Sequence, residues 1–232
     1  MTQESTIAAA DTLPRPPIWG IARYYVEGNP VDFPVGWQEL ERATEWATQM
    51  LAHYELGRGS NVLLVSAGYE APWTTALMDA ARRLGATFSC SEVWGWDARR
   101  TEMFSRRLPL SMVVGLTAEV VAGLEDFGGP AQVLGPVPHL LARPDAVTPL
   151  RQAGLDPGQF VILGPAIGLE CRERSGAHVD VREWSVRSVD GQLRLSSVAP
   201  RAKQVTDAPL GVAGTVDTTP CPCGSTDPRV RI

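Results

Sequence analysis

The side chains best suited to chemistry are three thiols and one imidazole in the last third of the chain: Cys171, His178, Cys221 and Cys223. Cys221 and Cys223 frame a Cys-Pro-Cys-Gly turn, in which Pro222 stiffens the backbone and Gly224 permits a tight return, so both sulfurs can face one point. Cys171 and His178, separated by a loop carrying Ser175 and Gly176, would supply the other half. Three thiolates and an imidazole make a closed tetrahedral shell with no position for water, which is the chemistry of a structural rather than a catalytic zinc ion. The spacing departs from the common Cys-x2-Cys knuckle. Residue types alone therefore leave two readings: a zinc site, or a pair of buried cysteines with an unrelated surface histidine. The fourth cysteine, Cys90, lies in an apparent strand and is expected as a buried, inert thiol.

Other catalytic templates fit poorly. Ser66 in LVSAG lacks the first glycine of a nucleophile elbow. His53 at a helix end and His139 in a proline-flanked loop have no recognisable partner, and no GxGxxG fingerprint is present. With 21 cationic against 26 acidic residues and a net charge of −5, no basic excess exists to neutralise a nucleic-acid backbone, so nucleic acid is not an expected partner. Lys203 is the one lysine. The opening MTQESTIAAADTLPRPP has no secretory pattern, and no apolar run approaches the roughly 18 residues of a membrane span. The expected address is cytoplasmic with no membrane association, and in that reducing compartment clustered cysteines read as metal ligands rather than disulfides.

The elements that must position these groups follow from periodicity. Residues 1–17 are polar, then proline-rich, and are expected as a flexible tail. From Trp37 to about His53, the residues Leu40, Ala43, Trp46, Ala47, Met50 and Leu51 recur at helical spacing. NVLLVSAG reads as a buried parallel strand, followed by a helix that begins near Pro72 and stops at Gly85. ATFSCSEV, DARRTEMFSRR and SMVVGLT then read as strand, helix and strand, with a further helix through Leu124. Repeated alternation of strand and helix predicts an α/β fold, a mostly parallel sheet with flanking helices, over residues 18–160. Within it a helix-like stretch lies around Leu150 to Ala153, and QFVILGPAIG is expected as one apolar strand. Residues 161–232 are expected as a β-rich, zinc-stapled region: HVDVREWSV and QLRLSSV form a hairpin about Asp190 and Gly191, and the tail from Ala208 is mostly loop.

Three stretches then carry a family resemblance. LGRGSNVLLVSAGYEAPWTTALMDAARRLGATF resembles the strand, substrate-facing loop and helix of the phenylacetate-coenzyme A ligases, a branch of the adenylate-forming (AMP-binding, acyl-CoA synthetase) superfamily. IGLECRERSGAHVDVREWSV is similar to that family's Glu-Cys segment and Gly-x-His turn, and TTPCPCGSTDPRVRI to its cysteine-rich stretch. The resemblance implies a metal held by the Cys, His, Cys-x-Cys set, each position of which is filled here. It also implies an acyl or aryl pocket lined by the loop after the first of these strands, here Tyr69, Glu70 and Trp73, with Trp94 and Trp96 as further walls. The same aromatics could instead fill core between helix and sheet.

The family pattern is broken where nucleotide chemistry would sit. No Ser/Thr/Gly-rich phosphate loop is present, FVILGPAIG carries no acidic residue before Glu170, and the ribose-gripping pair has only a distorted counterpart in Arg201 and Asp207. Lys203 cannot be assumed to replace the catalytic lysine of the family's small C-terminal domain, which the resemblance does not extend to. These departures lead to a pseudoenzyme as the expectation: a truncated, zinc-stabilised accessory or acyl/aryl-binding protein without autonomous ligase activity. The alternatives are a subunit of a split ligase completed by a second polypeptide, a repurposed enzyme acting on acyl thioesters, or a purely structural interaction protein; a partner enzyme or a homo-oligomer is the expected protein partner.

Overall fold

The computed structural model describes residues 17–232, so the tail expected at the N-terminus lies, apart from Pro17, outside the described residues. The chain enters through an antiparallel hairpin, β1 (Ile18–Val26) and β2 (Asn29–Gly36). Its two-residue turn, Glu27-Gly28, has both φ angles positive, at 51° and 79°, the backbone that matches the twist of the paired strands. Helix α1 (Trp37–Ala52) follows, and its first turn is fastened by the Gly36 amide donating to Glu39 Oε1 at 3.1 Å. Its apolar stripe is the one the helical spacing predicts.

Strand β3 (Asn61–Val65), helix α2 (Ala71–Arg83) and strand β4 (Thr87–Ser91) form the first crossover unit. Pro72 sits in the first turn of α2. The helix stops at Gly85, whose φ of +82° allows Gly85 N to reach Arg82 O and Ala86 N to reach Ala81 O. Next come α3 (Ala98–Arg107), β5 (Leu110–Leu116), α4 (Ala118–Gly123), α5 (Pro130–Leu134), β6 (His139–Ala142), α6 (Pro144–Gln152) and β7 (Gly158–Leu163). Strands β4, β3, β5, β6 and β7 pair in that order, all parallel.

Beyond β7 the sheet continues antiparallel through β8 (Ala166–Glu170) and β9 (Ala177–His178). Strands β10 (Trp184–Val189), β11 (Gln192–Ser197) and β12 (Ala208–Ala213) form a separate three-stranded sheet, with the Asp190-Gly191 turn at φ 50° and 77° as the hairpin motif predicts. Strands β13 (Thr215–Asp217) and β14 (Arg229–Arg231) return to the large sheet beside β9 and complete its nine strands.

The core lies on both faces of the parallel part, and the period-two alternation of the strands divides it. Val62, Leu64, Met112 and Val114 pack with α1, α2 and the entry hairpin on one face. Leu63, Val65, Val113 and Leu116 pack with α4 and α6 on the other.

Four expectations are corrected. QFVILGPAIG is two strands, because Gly164 (φ +61°) and Pro165 turn the chain between β7 and β8. HVDVREWSV is interrupted after His178, where Asp180 O accepts from Glu183 N and Trp184 N in a turn. The tail after Ala208 is not mostly loop but supplies three short strands that add to existing edges. Cys90 is exposed rather than buried: β4 is an edge strand of the sheet, and the Cys90 sulfur lies 3.9 Å from Met78 Sδ at the rim of α2.

Candidate functional site

Strand pairing assembles the Cys and His cluster. Cys171 follows β8 and His178 ends β9, whereas Cys221 and Cys223 precede β14, which pairs with β9 so that His178 stands opposite Arg229. The ligating atoms of all four residues lie within 4.8 Å of one another. Cys171 Sγ is 3.7 Å from Cys221 Sγ, and Cys223 Sγ is 3.7 Å from His178 Nε2. A tetrahedron with metal–sulfur bonds of about 2.3 Å has edges of about 3.8 Å, so these separations match a four-coordinate soft cation. Cys171 and His178 are fully buried and Cys221 nearly so.

The backbone around the cluster is fastened from several sides. Gly224, at φ +92°, lets its amide donate to Cys221 O at 2.9 Å, while Cys221 N donates to Ser225 O at 3.0 Å. The buried Glu170 carboxylate accepts from Gly176 N and Gln159 N, both at 2.9 Å, and so sets the loop between Cys171 and His178. Asp227 accepts from Trp46 Nε1 at 2.9 Å and from Val181 N at 3.1 Å, pinning the cysteine-rich turn to α1. Burial pushes the Cys171 thiol up to about 12 in the metal-free protein. At Cys221 burial acts in the same direction, but hydrogen bonds from Ser175 and from the Cys223 backbone outweigh it and hold this thiol below its ordinary value. The buried His178 turns Nε2 toward the sulfurs. The donor set, burial and spacing fit a metal ion.

A second feature lies at the carboxyl ends of the parallel strands, where ligands bind in open α/β sheets. A cleft of about 460 Å³ opens there between Tyr69 and Trp94, with Ile162 and Val212 among its apolar lining. Tyr69 sits in the single helical turn Gly68–Glu70 after β3, and Trp94 follows β4. Each is a little over one third exposed.

The other expected wall residues are placed differently. Trp73 is buried in the core, 6.5 Å from the Tyr24 ring, and Trp96 points outward at 71% exposure. Glu70 is buried; its carboxylate receives Ala67 N at 2.8 Å and both terminal nitrogens of Arg143 at 2.7 Å each. Arg143 Nε also donates to Gly115 O at 3.2 Å, which is possible because Gly115, at φ +95°, forms a bulge in β5. Sequence reasoning missed Arg143; the signal was a charged residue directly after the apolar run HLLA, at the end of a buried strand.

Arg201 and Asp207 each have partners from the chain itself. The buried Arg201 guanidinium bridges Glu39 and Glu183 and stacks 3.7 Å from the Trp184 ring centroid. Asp207 Oδ1 accepts from Arg187 Nη2 at 2.5 Å and from Arg194 Nε at 2.8 Å on the three-stranded sheet. Lys203 Nζ donates to Asp32 O at 3.2 Å. Among the described residues no helix is long and apolar enough to cross a membrane.

Neither a protein-family model nor a curated protein sequence matches the chain. Solved structures do. A 2-hydroxyisobutyryl-CoA ligase in an open conformation, in complex with 2-HIB-AMP and CoA, superposes with a TM-score of 0.69 at 13% identity, over 94% of this chain and 53% of that one. An anthranilate CoA ligase in complex with anthranoyl-AMP superposes with a TM-score of 0.58 at 13% identity, over 86% of this chain and 45% of that one. A putative long-chain-fatty-acid CoA ligase from Rhodopseudomonas palustris gives a TM-score of 0.51 at 12% identity, over 91% and 58%. The chain spans about half the length of these proteins. Its fold is that of about half of these CoA ligases, and the Cys171, His178, Cys221 and Cys223 group within it could hold a metal ion.

Proposed function

We propose that this is a ligase-derived binding or accessory protein of the phenylacetate-coenzyme A ligase type, which takes an acyl or aryl group, free or as a thioester, in the cleft between Tyr69 and Trp94 without adenylating it alone. The observation that carries this reading is that cleft: two half-exposed aromatic rings over an apolar lining at the carboxyl ends of the parallel strands, in an acyl-CoA ligase fold. Its volume of about 460 Å³ suits a small organic ligand.

The reading that adenylation is lost rests on groups held elsewhere. Stabilising charge on a transferred adenylyl group calls for free cations and aligned amides. Here Arg143 is engaged by Glu70 and Arg201 by Glu39 and Glu183. The metal in this proposal is zinc, held by Cys171, His178, Cys221 and Cys223. With four protein ligands it has no open position, so it supplies folding energy to the cytoplasmic protein rather than catalysis.

ATP–pyrophosphate exchange with a panel of aryl and fatty acids tests the loss of adenylation: no exchange above background is expected, and exchange would overturn it. Calorimetric titration of the same acids and their coenzyme A thioesters tests the cleft, with binding expected and abolished in Trp94→Ala. A second reading within the same fold is a subunit of a split ligase. It predicts exchange activity once a partner polypeptide carrying a phosphate loop and a lysine is added.

A further inference from the structure

The four donors of the Cys and His cluster are not equally sheltered. Cys171, His178 and Cys221 are at most 4% exposed, whereas Cys223 is partly exposed. Cys223 is also the one member of the cluster that lines a second pocket, of about 440 Å³, which shares no residue with the cleft between Tyr69 and Trp94. The buried Trp46 and Met50 of α1 supply its apolar part, and His53, Arg182 and Asp227 line it with polar groups. Space remains beside the thiol, since a Cβ added at Gly224 would meet no atom within 4 Å. The charged groups here are already engaged: Arg182 holds Asp180 through Nε and Nη2, and Asp227 accepts from Trp46 Nε1 and Val181 N. The sulfurs of Cys171 and Cys221 lie within 4.8 Å of that of Cys223. An accessible thiol with further thiols close by is the arrangement of a redox-sensitive cysteine.

We propose that Cys223 is a site of reversible oxidation by hydrogen peroxide entering through this pocket, and that its oxidation dismantles the metal centre. This rests on the reading of the cluster as a zinc site and goes beyond it by making that site redox-sensitive and open from one side. The Cys223 thiolate attacks the peroxide: a sulfur–oxygen bond forms, the O–O bond breaks, the sulfur gives up two electrons, and the second oxygen leaves as hydroxide. The thiolate of Cys171 or Cys221 then attacks the Cys223 sulfur, and a disulfide forms as the S–O bond breaks and a second hydroxide leaves. Two thiolates and one hydrogen peroxide thus become one disulfide and two hydroxides. Two of the four donors are lost together, and a thiol reductant restores both.

The test treats the zinc-loaded full chain with hydrogen peroxide in the Cys90→Ser background, which removes the exposed thiol outside the cluster, and follows free zinc with a chromogenic chelator. Zinc is expected to leave as a disulfide between Cys223 and Cys171 or Cys221 appears in peptide mass spectra, and dithiothreitol with added zinc should reverse both. Gln49→Trp, at an exposed α1 position that lines the pocket, should slow the release at least about tenfold by narrowing the approach, while zinc content and melting temperature hold. Without peroxide, iodoacetamide should label Cys223 ahead of Cys171 and Cys221. Zinc that stays bound under peroxide, labelling that begins at Cys171 or Cys221, or release indifferent to Gln49→Trp would overturn the inference and leave the zinc site standing. A chain that takes up no zinc would overturn both.

Discussion

Replacing Cys171 by serine is the sharpest probe of whether the Cys and His cluster holds a metal, because this sulfur is fully buried and a hydroxyl there cannot serve as a soft anionic ligand. Structural zinc in small sites is worth about 10–16 kcal/mol over four ligands, so one ligand corresponds to about 3 kcal/mol, a loss of affinity of about a hundredfold or more. At metal concentrations about a hundred times the dissociation constant, the bound ion stabilises the folded chain by about 2.7 kcal/mol. For a chain of this size that is about 5–10 °C in melting temperature. Cys171 and Cys221 belong to the same buried cluster as Val62 and Leu64, but the cysteine-rich turn is carried by the three-residue strand β14 near the edge of the sheet, so the loss should begin there. Hydrogen exchange after chelation should therefore quicken first at Cys221 N and Val179 N, which donate to Ser225 O and Pro228 O, while amides of β3 and β5 stay protected. Metal content by inductively coupled plasma mass spectrometry should approach one per chain in the parent and fall in Cys171→Ser, with Cys90→Ser as the unaffected control. Stoichiometric metal in Cys171→Ser, or chelation that leaves both exchange and melting temperature unchanged, would refute the reasoning.

Glu70→Gln should cost about 3 kcal/mol, read as a lower denaturation midpoint, because it strands the largely buried Arg143 guanidinium that Glu70 now grips with two 2.7 Å bonds. Gly115→Ala should cost about 1–3 kcal/mol, since its φ of +95° disfavours a side chain and an added Cβ would collide with Val65 O; an unchanged midpoint would argue against the bulge. Hydrogen bonds from Arg194 and Arg187 hold the Asp207 carboxyl below its ordinary value of 3.8. Its folded value being depressed, its contribution to stability is present above that ordinary value and is lost as pH falls toward the folded one. Asp207→Asn should thus lower stability in the neutral region and flatten the acid limb of the profile, whereas a steeper limb would contradict the pairing.

The periodic elements were legible because their information is local. The stripe of α1, the β3–α2–β4 unit and the Asp190-Gly191 turn each depend on residues a few positions apart, and neighbouring side chains alone bias φ and ψ toward them. The identity of the four metal-binding candidates was legible for a related reason: thiols and imidazoles are rare and chemically singular. The ligating geometry was not, because it depends on β14 pairing with β9 across some fifty residues of intervening chain, a three-residue strand with no periodicity long enough to read.

Tertiary structure alone decided which aromatics line a cleft. Tyr69, Trp73, Trp94 and Trp96 look equivalent as residue types, yet one lies in the core, one faces solvent and two frame the cleft. The electrostatics were hidden for the same cause. Glu70 and Arg143 are 73 positions apart, and only the parallel alignment of β3, β5 and β6 brings their loops to one end of the sheet, where each offsets the charge of the other.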